Sequence, residues 1–552
     1  MELFLDVMQH DNLKLVSQNN LEPIRPNTLK LVRPINLETV MAQSSKKLAD
    51  SLSALKELQD QGVVAIRTSR LSRTHRQRLL KAGFIREVMK GWYTPHRPDE
   101  PEGESTGWYA SFWAFSAEYL TDRFGENWCL SPEQSLNLHI GDWTVPKQLL
   151  VRSTTGGNKP TQLLFGTSVF DVRLELPPVE DREVKNRLRI FNLPAALIAC
   201  APGQFTDHPD ALRAALGMIM EPSDLLRRLL EGGRTVVAGR LAGGFRNIGR
   251  AEAADQILRA MRAAGHEVTE SDPFNDKPAI VFGARETSPY FNRLRMLWAS
   301  MRPPIQKAFP APPGIKTDAA TYLKQVDELY ATDAYNSLSI EGYRVSEALI
   351  ERVPSGDWIP DNDENDRQNR NALAARGYWQ AFQRVKKSLE PILAGENPGV
   401  IVRRDYDAWY AELFGPSVSA GILKAADLAG FRNGAVYIRR SMHVPPSYEA
   451  VRELMPEFFE LLKTETDPAV RVVLGHFVFV YIHPYMDGNG RMGRFLMNAM
   501  MAAGGYPWTI IPVERRSEYM ASLEAASVGQ NITPFAEFLA SVVTAPKGVR
   551  KQ

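Results

Sequence analysis

Cysteine is nearly absent: Cys129 and Cys200 are the only two in 552 residues. That is too few for a disulfide framework and fits a reducing cytosol. A dominant charge is missing as well. Lys and Arg number 66 against 64 Asp and Glu, so any surface for a polyanion must be local. Long apolar runs are also lacking. The stretch Phe495–Val513 carries no formal charge but is broken by Asn498, Gly504, Gly505, Pro507 and Pro512, which rules it out as a membrane span. The opening MELFLDVMQHDNLKL has Glu2, Asp6 and Asp11 where a secretory signal needs basic and then apolar residues. A soluble, cytoplasmic protein with no membrane partner is expected. There is no internal repeat and no low-complexity tract.

What is present fits several ordinary cores: 44% apolar and 24% charged residues, with room for about three or four domains at roughly 100–200 residues each. Residues 1–45 are weakly periodic and read as a flexible tail. From Lys46, Leu48, Leu52, Leu55 and Leu58 recur at helical spacing up to Gly62. A second helix is expected over Ser72–Gly83, followed by the alternating FIREVMKGWYTP of a hairpin. Helix, basic helix, hairpin over 46–100 is the order of a winged helix-turn-helix. Residues 101–270 mix helical and strand-like pieces, an α+β pattern. Met301–Lys316 packs five prolines into sixteen positions, a stretch that cannot be a continuous helix, and a linker is expected over 271–315. Beyond it the chain reads as an α-bundle, interrupted by the acidic loop Gly356–Gln368 and the strand-like Val436–Val444.

The most informative segment is HPYMDGNGRMGR, His483–Arg494, set between two apolar helical stretches. Gly488 and Gly490 let successive backbone N–H groups converge on one point, a nest for an anion. The helix that follows adds its positive end. Arg491 and Arg494 share a face and can clamp phosphate oxygens. Asp487 offers a hard oxygen ligand for Mg2+, and His483 suits proton transfer near neutral pH. His476 reads as a core histidine.

This segment resembles the signature of the Fic family, His-Pro-Phe-x-Asp-Gly-Asn-Gly-Arg-x-x-Arg, with Tyr485 in place of the usual Phe. Fic enzymes mostly transfer AMP from ATP to a protein hydroxyl. The resemblance implies that His483 is the general base and that Asp487 holds Mg2+ across the α- and β-phosphates. Gly488, Asn489 and Gly490 would then position the α-phosphate, Arg491 the β- and Arg494 the γ-phosphate. Leu428–Pro446 looks like the family's flap, a hairpin whose open edge pairs with the target chain. The similarity covers roughly Lys316–Val543, and the domain is expected over 316–552 as an all-α fold with this small hairpin.

Ser337, Glu341 and Gly342, in NSLSIEGYRVSEALIERV, fit the Ser/Thr-x-x-x-Glu-Gly/Asn pattern of the family's inhibitory helix, expected near 333–350. The resemblance implies that Glu341 pairs with Arg494 where the γ-phosphate belongs. The stretch Arg67–Lys90 carries eight basic residues against Glu87 alone. With VVAIRTSRLSRTHRQRLLKAGFIREVMKGWYTP it resembles the winged-helix start of AbiEi-type antitoxin regulators, and 101–270 their partner domain. Arg70, Arg73, Arg76 and Arg78 would then meet DNA. The expected activity is autoinhibited, Mg-ATP-dependent protein adenylylation of a Ser, Thr or Tyr hydroxyl. Two alternatives stay open. One is a Fic enzyme that removes AMP or transfers another phosphate-containing group; the other is a DNA-binding regulator whose Fic domain senses nucleotide. The identity of the target protein and the choice between monomer and homo-oligomer also stay open.

Overall fold

The computed structural model describes residues 37–101, 103–276, 288–315, 318–355 and 370–544. Residues 1–36 of the expected tail, 277–287 of the expected linker and the acidic loop Gly356–Gln368 lie outside them. The first helix spans Leu37–Asp60 and so begins inside the stretch expected as a tail. After the short strand Ile66–Arg67 comes the helix Arg73–Lys81, whose first turn is capped by Ser72 Oγ accepting from His75 N–H at 3.2 Å. The strands Ile85–Met89 and Trp92–Pro95 form the hairpin. The latter is the central strand of a three-stranded antiparallel sheet with Ile66–Arg67. Leu55, Leu58, Ile66, Leu71, Leu79, Ile85 and Tyr93 bury a small core between helices and sheet.

The aromatic-rich helix Thr106–Phe124 packs into a second core with a four-stranded sheet. Its two central strands, Gln148–Ser153 and Ser168–Arg173, run parallel. Trp108 ties helix to sheet by donating Nε1–H to Thr167 Oγ1 at 3.0 Å. A hairpin, Arg182–Lys185 with Leu188–Phe191, leads into six helices between Leu193 and Ala263 that enclose a third core.

The Pro-rich segment is not one continuous helix, since residues 309–315, with Pro310, Pro312 and Pro313, carry no helix, but its start departs from the expected linker. Pro289–Ala308 is one helix, with Pro303 and Pro304 inside it. An internal proline costs about 3 kcal/mol, but Leu294, Leu297, Trp298, Met301 and Ile305 are all buried in the C-terminal core. At roughly 1.5–3 kcal/mol for each large apolar side chain, packing outweighs the backbone penalty. Trp298 Nε1 and Arg302 Nε also donate to Glu465, at 3.0 and 3.2 Å. This helix therefore belongs to the C-terminal bundle.

The bundle is centred on Pro468–Ile482, a helix apolar on all sides and buried along nearly its whole length. Around it pack Pro289–Ala308, Ala319–Ile340, Arg370–Leu393, Pro398–Ser419, Tyr448–Thr464 and Asn489–Gly504. Two sequence expectations fail here. The helix expected near 333–350 is broken: Ala319–Ile340 ends at Glu341, Gly342 turns the chain at φ +87°, and a new helix starts at Glu347. The flap expected as a β-hairpin has no strand among the described residues 428–447. Two of its backbone groups go to side chains instead, Arg440 N–H to Thr106 Oγ1 (3.0 Å) and Met442 N–H to Glu524 Oε1 (2.9 Å), and are lost to any ladder within the segment.

Candidate active site

The central helix ends at His483, which caps it in the left-handed conformation (φ 53°). That turn swings the imidazole toward a cavity of about 720 Å³ lined by His483, Met486–Gly490, Ser339–Gly342, Tyr437–Ser441, Arg494 and the helix Arg516–Ser527. His483 Nδ1 lies 3.0 Å from the Val480 carbonyl. Donating there fixes the tautomer and leaves Nε2 with its lone pair, the atom a general base uses. Burial pushes the His483 pKa below its ordinary 6.5, partly opposed by the Val480 bond and reinforced by Arg432. The ring is thus neutral at neutral pH.

Helix Asn489–Gly504 begins beside this histidine, and its N-cap is Gly488 at φ +83°, with no side chain capping the first turn. A buried, uncapped helix start is a ready anion site. Gly488 N–H itself is bonded to Asp487 Oδ1 at 2.6 Å. An added Cβ at Gly490 would run into Glu341 Oε1, so the glycine lets that carboxylate lie against the helix start. Tyr485 lies beneath the loop, buried and stacked on Tyr410 at 3.7 Å between centroids. Asn489 is turned inward: its Oδ1 accepts Tyr485 N–H (2.9 Å) and its Nδ2 donates to Tyr485 O (2.8 Å). Its side chain braces the loop, where the sequence suggested contact with a phosphate.

Both arginines are buried, with Arg491 1% and Arg494 4% exposed. The Arg491 guanidinium sits between the rings of Tyr343 and Phe414, at 5.1 and 5.0 Å. Its Nε and Nη2 make no hydrogen bond among the described residues, and Asp487 Oδ2 lies 3.6 Å from Nη2. Arg494 donates Nε–H to Ser337 Oγ at 2.8 Å and Nη2–H to Ser337 O and Glu341 Oε1, at 2.9 and 2.7 Å. Ser337, Glu341 and Arg494 are therefore brought together. Burial pushes the Glu341 pKa up, but Arg494, then Arg491, outweigh it and hold the carboxyl below its ordinary 4.5. The carboxylate supplies negative charge at the start of the anion-binding helix.

Asp487 is 59% exposed on the cavity rim. No cluster of three ligating side chains occurs among the described residues. One rim carboxylate fits Mg2+ only as a companion of polyphosphate oxygens, which is how Mg2+ commonly binds. His476 is a core histidine bonded to Tyr519 Oη at 2.7 Å, its pKa pushed down to about 4 by burial. Sequence reasoning missed Arg432. It donates Nε–H to His483 O (2.8 Å), Nη1–H to Gly434 O (2.9 Å) and Nη2–H to Pro446 O, so it pins both ends of the segment Gly434–Pro446 to the histidine.

Arg70, in the short turn Thr68–Arg70 before the basic helix, and Arg73, the first residue of that helix, are exposed. Arg76 donates to Thr68 O at 3.1 Å and lies over Tyr93, and Arg78 donates to Lys47 O at 3.4 Å. The four are not equivalent.

No helix among the described residues is long and apolar enough to cross a membrane. The chain is similar to the protein adenylyltransferase fic-1 of Caenorhabditis elegans, 39% identical over 113 residues, which are 20% of this chain and 22% of that protein. Its similarity to the protein adenylyltransferase Fic of Drosophila willistoni is 40% over 114 residues, with the same shares. The chain thus spans about a fifth of the length of the curated relatives it matches. A solved structure of C. elegans Fic-1 aligns over 60% of this chain and 84% of that one, with 20% identity and a TM-score of 0.34. Residues 404–501 match the Fic/DOC family, a span that holds the whole loop His483–Arg494 and leaves Ser337, Glu341 and the N-terminal half outside.

Proposed function

We propose that this chain is a protein adenylyltransferase held in check by its own Glu341. The observation that carries the reading is the buried, uncapped start of helix Asn489–Gly504, facing a cavity shared with His483. A triphosphate laid along this helix start would meet the N–H groups of the first turn, with Arg491 and Arg494 for its outer phosphates. His483 Nε2 takes the proton of a target Ser, Thr or Tyr hydroxyl. The hydroxyl oxygen bonds to the α-phosphorus, the α–β bridging bond breaks, and pyrophosphate leaves with the electron pair. Asp487 would hold Mg2+, which neutralises charge on the phosphates. The rest of the catalytic effect is positioning and preorganised charge.

The relatives' printed names support adenylyl transfer over AMP removal or another phospho-group transfer. The 2.7 Å contact from Arg494 to Glu341 supports the restraint, since a carboxylate there competes with phosphate for the same guanidinium. The test is Glu341→Gly with Mg-ATP and a lysate of the source cells. A modified protein should gain the mass of one AMP on a hydroxyl residue, and a different added group would overturn adenylylation.

A second role is favoured by Arg70 and Arg73, both exposed where a winged helix would approach DNA. The helix, helix, hairpin order supports that reading. Electrostatic binding of duplex DNA by residues around 67–90 is the corresponding proposal.

A further inference from the structure

The segment Tyr437–Ser441 forms one wall of the cavity that holds His483. Among the described residues, the backbones of Val436, Tyr437 and Arg439 make no hydrogen bond, and the Tyr437 side chain is 40% exposed. Arg439 and Arg440 lie in a turn closed by Ser441 N–H donating to Ile438 O at 3.1 Å, and the short stretch Val436–Ile438 before it offers the kind of free backbone edge that an incoming chain pairs with. That edge has no sheet behind it, so its shape depends on its anchors. Arg432 is one, tied to the His483 carbonyl.

The other anchor comes mostly from the N-terminal half. Glu104 is 5% exposed, and its Oε2 accepts from Arg439 Nε at 2.6 Å, with Arg440 Nε at 3.7 Å. Thr106 Oγ1, itself a donor to Glu104, accepts Arg440 N–H at 3.0 Å. Val145 N–H donates to Met442 O at 2.9 Å. From the C-terminal side, Glu524 accepts Met442 N–H at 2.9 Å and the Ser441 hydroxyl. Burial pushes the Glu104 pKa up, but the bonds from Thr106 and Arg439 overcome it and bring it to about 2. The carboxylate is therefore ionised at every pH where the protein would work.

We propose that Glu104 is a positioning residue for the target protein: with Thr106 and Val145 it holds the turn at Arg439 and Arg440 in place and so keeps taut the short free edge Val436–Ile438, on which the target chain lies while its hydroxyl meets His483. The inference rests on the adenylyltransferase reading. It makes the N-terminal half part of the target site, though that half lies outside the family match. ATP, bound at the helix start, does not depend on this anchor.

The test uses the full chain in the Glu341→Gly background, alone and with Glu104→Gln or Thr106→Val, the latter removing one anchor contact without changing charge. Melting temperatures identify any variant that fails to fold. Limited trypsin digestion reads the anchor directly, and cleavage after Arg439 and Arg440 should speed up at least about fivefold in both variants. With labelled ATP and desalted lysate, the lysate concentration giving half-maximal labelling should rise about tenfold. Maximal labelling and the ATP concentration for half-maximal labelling should hold, whereas a merely structural defect would lower maximal labelling. A Glu341→Gly protein that transfers nothing overturns the functional reading and this inference with it. Equal lysate dependence with and without Glu104→Gln, or unchanged trypsin cleavage, overturns this inference alone.

Discussion

Arg491 and Arg494 in the loop and Arg70 and Arg73 in the basic stretch are the same residue in opposite circumstances. The loop pair is withdrawn from water, one guanidinium between two aromatic rings and the other bound to Ser337 and Glu341. Taking a charged group out of water costs several kcal/mol, and the fold tolerates it only where an anion or its stand-in offsets the loss. The exposed pair stays in water and gives up nothing, so its presence alone demands no ligand. Burial, more than basic composition, makes an arginine informative. Within the basic stretch, Arg76 and Arg78 are already committed to backbone carbonyls.

If the loop is the working end of the molecule, its losses should be the largest. His483→Ala should lower AMP transfer by about 10²–10⁴ and leave ATP binding nearly intact, as read by single-turnover rates beside calorimetry. Parent-level transfer by that variant would remove His483 from the mechanism.

The buried arginine comes next. Glu341→Gly should raise transfer by about 10–100-fold, the worth of one charge-assisted hydrogen bond, roughly 1.5–3 kcal/mol. Adding Arg494→Ala should forfeit the gain, since the same guanidinium is needed for phosphate. Equal rates for parent and Glu341→Gly at one ATP concentration would break the contrast between buried and exposed arginines.

The pH response sharpens the comparison with a smaller effect. His483 is held below 6.5, so it is already the free base at neutral pH, and the rate of Glu341→Gly should stay level down to that point and fall only below it. Glu341 has a folded pKa under its ordinary 4.5. Its ion pair is therefore fully present above 4.5 and lost only as pH falls through the lower folded value. The ratio of Glu341→Gly to parent rates should accordingly stay constant over about pH 6–8. A ratio that collapses within that range would assign the restraint to another group.

On the exposed side the expected change is smallest. Replacing Arg70 and Arg73 with Ala should flatten the log–log salt dependence of DNA binding by up to about two units, at roughly 0.9 per phosphate contact, with transfer unaffected. Fluorescence anisotropy of the full chain on duplex DNA reads it. Binding that does not respond to salt would mean that this face meets protein.

The loop was readable from sequence because its chemistry is local: histidine, carboxylate, glycines and arginines lie within His483–Arg494. Glu341 could be matched to Arg494 across 153 residues only because its spacing from Ser337 and Gly342 carries a pattern. Where partners lie far off and no pattern marks them, the reading failed. Pro303 and Pro304 predict a break, and the helix persists because Trp298 and Arg302 meet Glu465, more than 160 positions away. Val436–Val444 alternates like a strand, yet Thr106, Val145 and Glu524 take the backbone groups of Arg440 and Met442. Asn489 looks like a ligand in the motif, and only the turn at Tyr485 reveals that its amide faces inward.

The central claim is that the buried helix start beside His483 directs attack at the α-phosphorus of ATP. Two parallel incubations of Glu341→Gly with lysate test it, one with ATP labelled at the α-phosphate and one at the γ-phosphate. The account predicts acid-stable label on protein from α-labelled ATP, with the γ-label released entirely as pyrophosphate. Label on protein from γ-labelled ATP, or from neither, would contradict it.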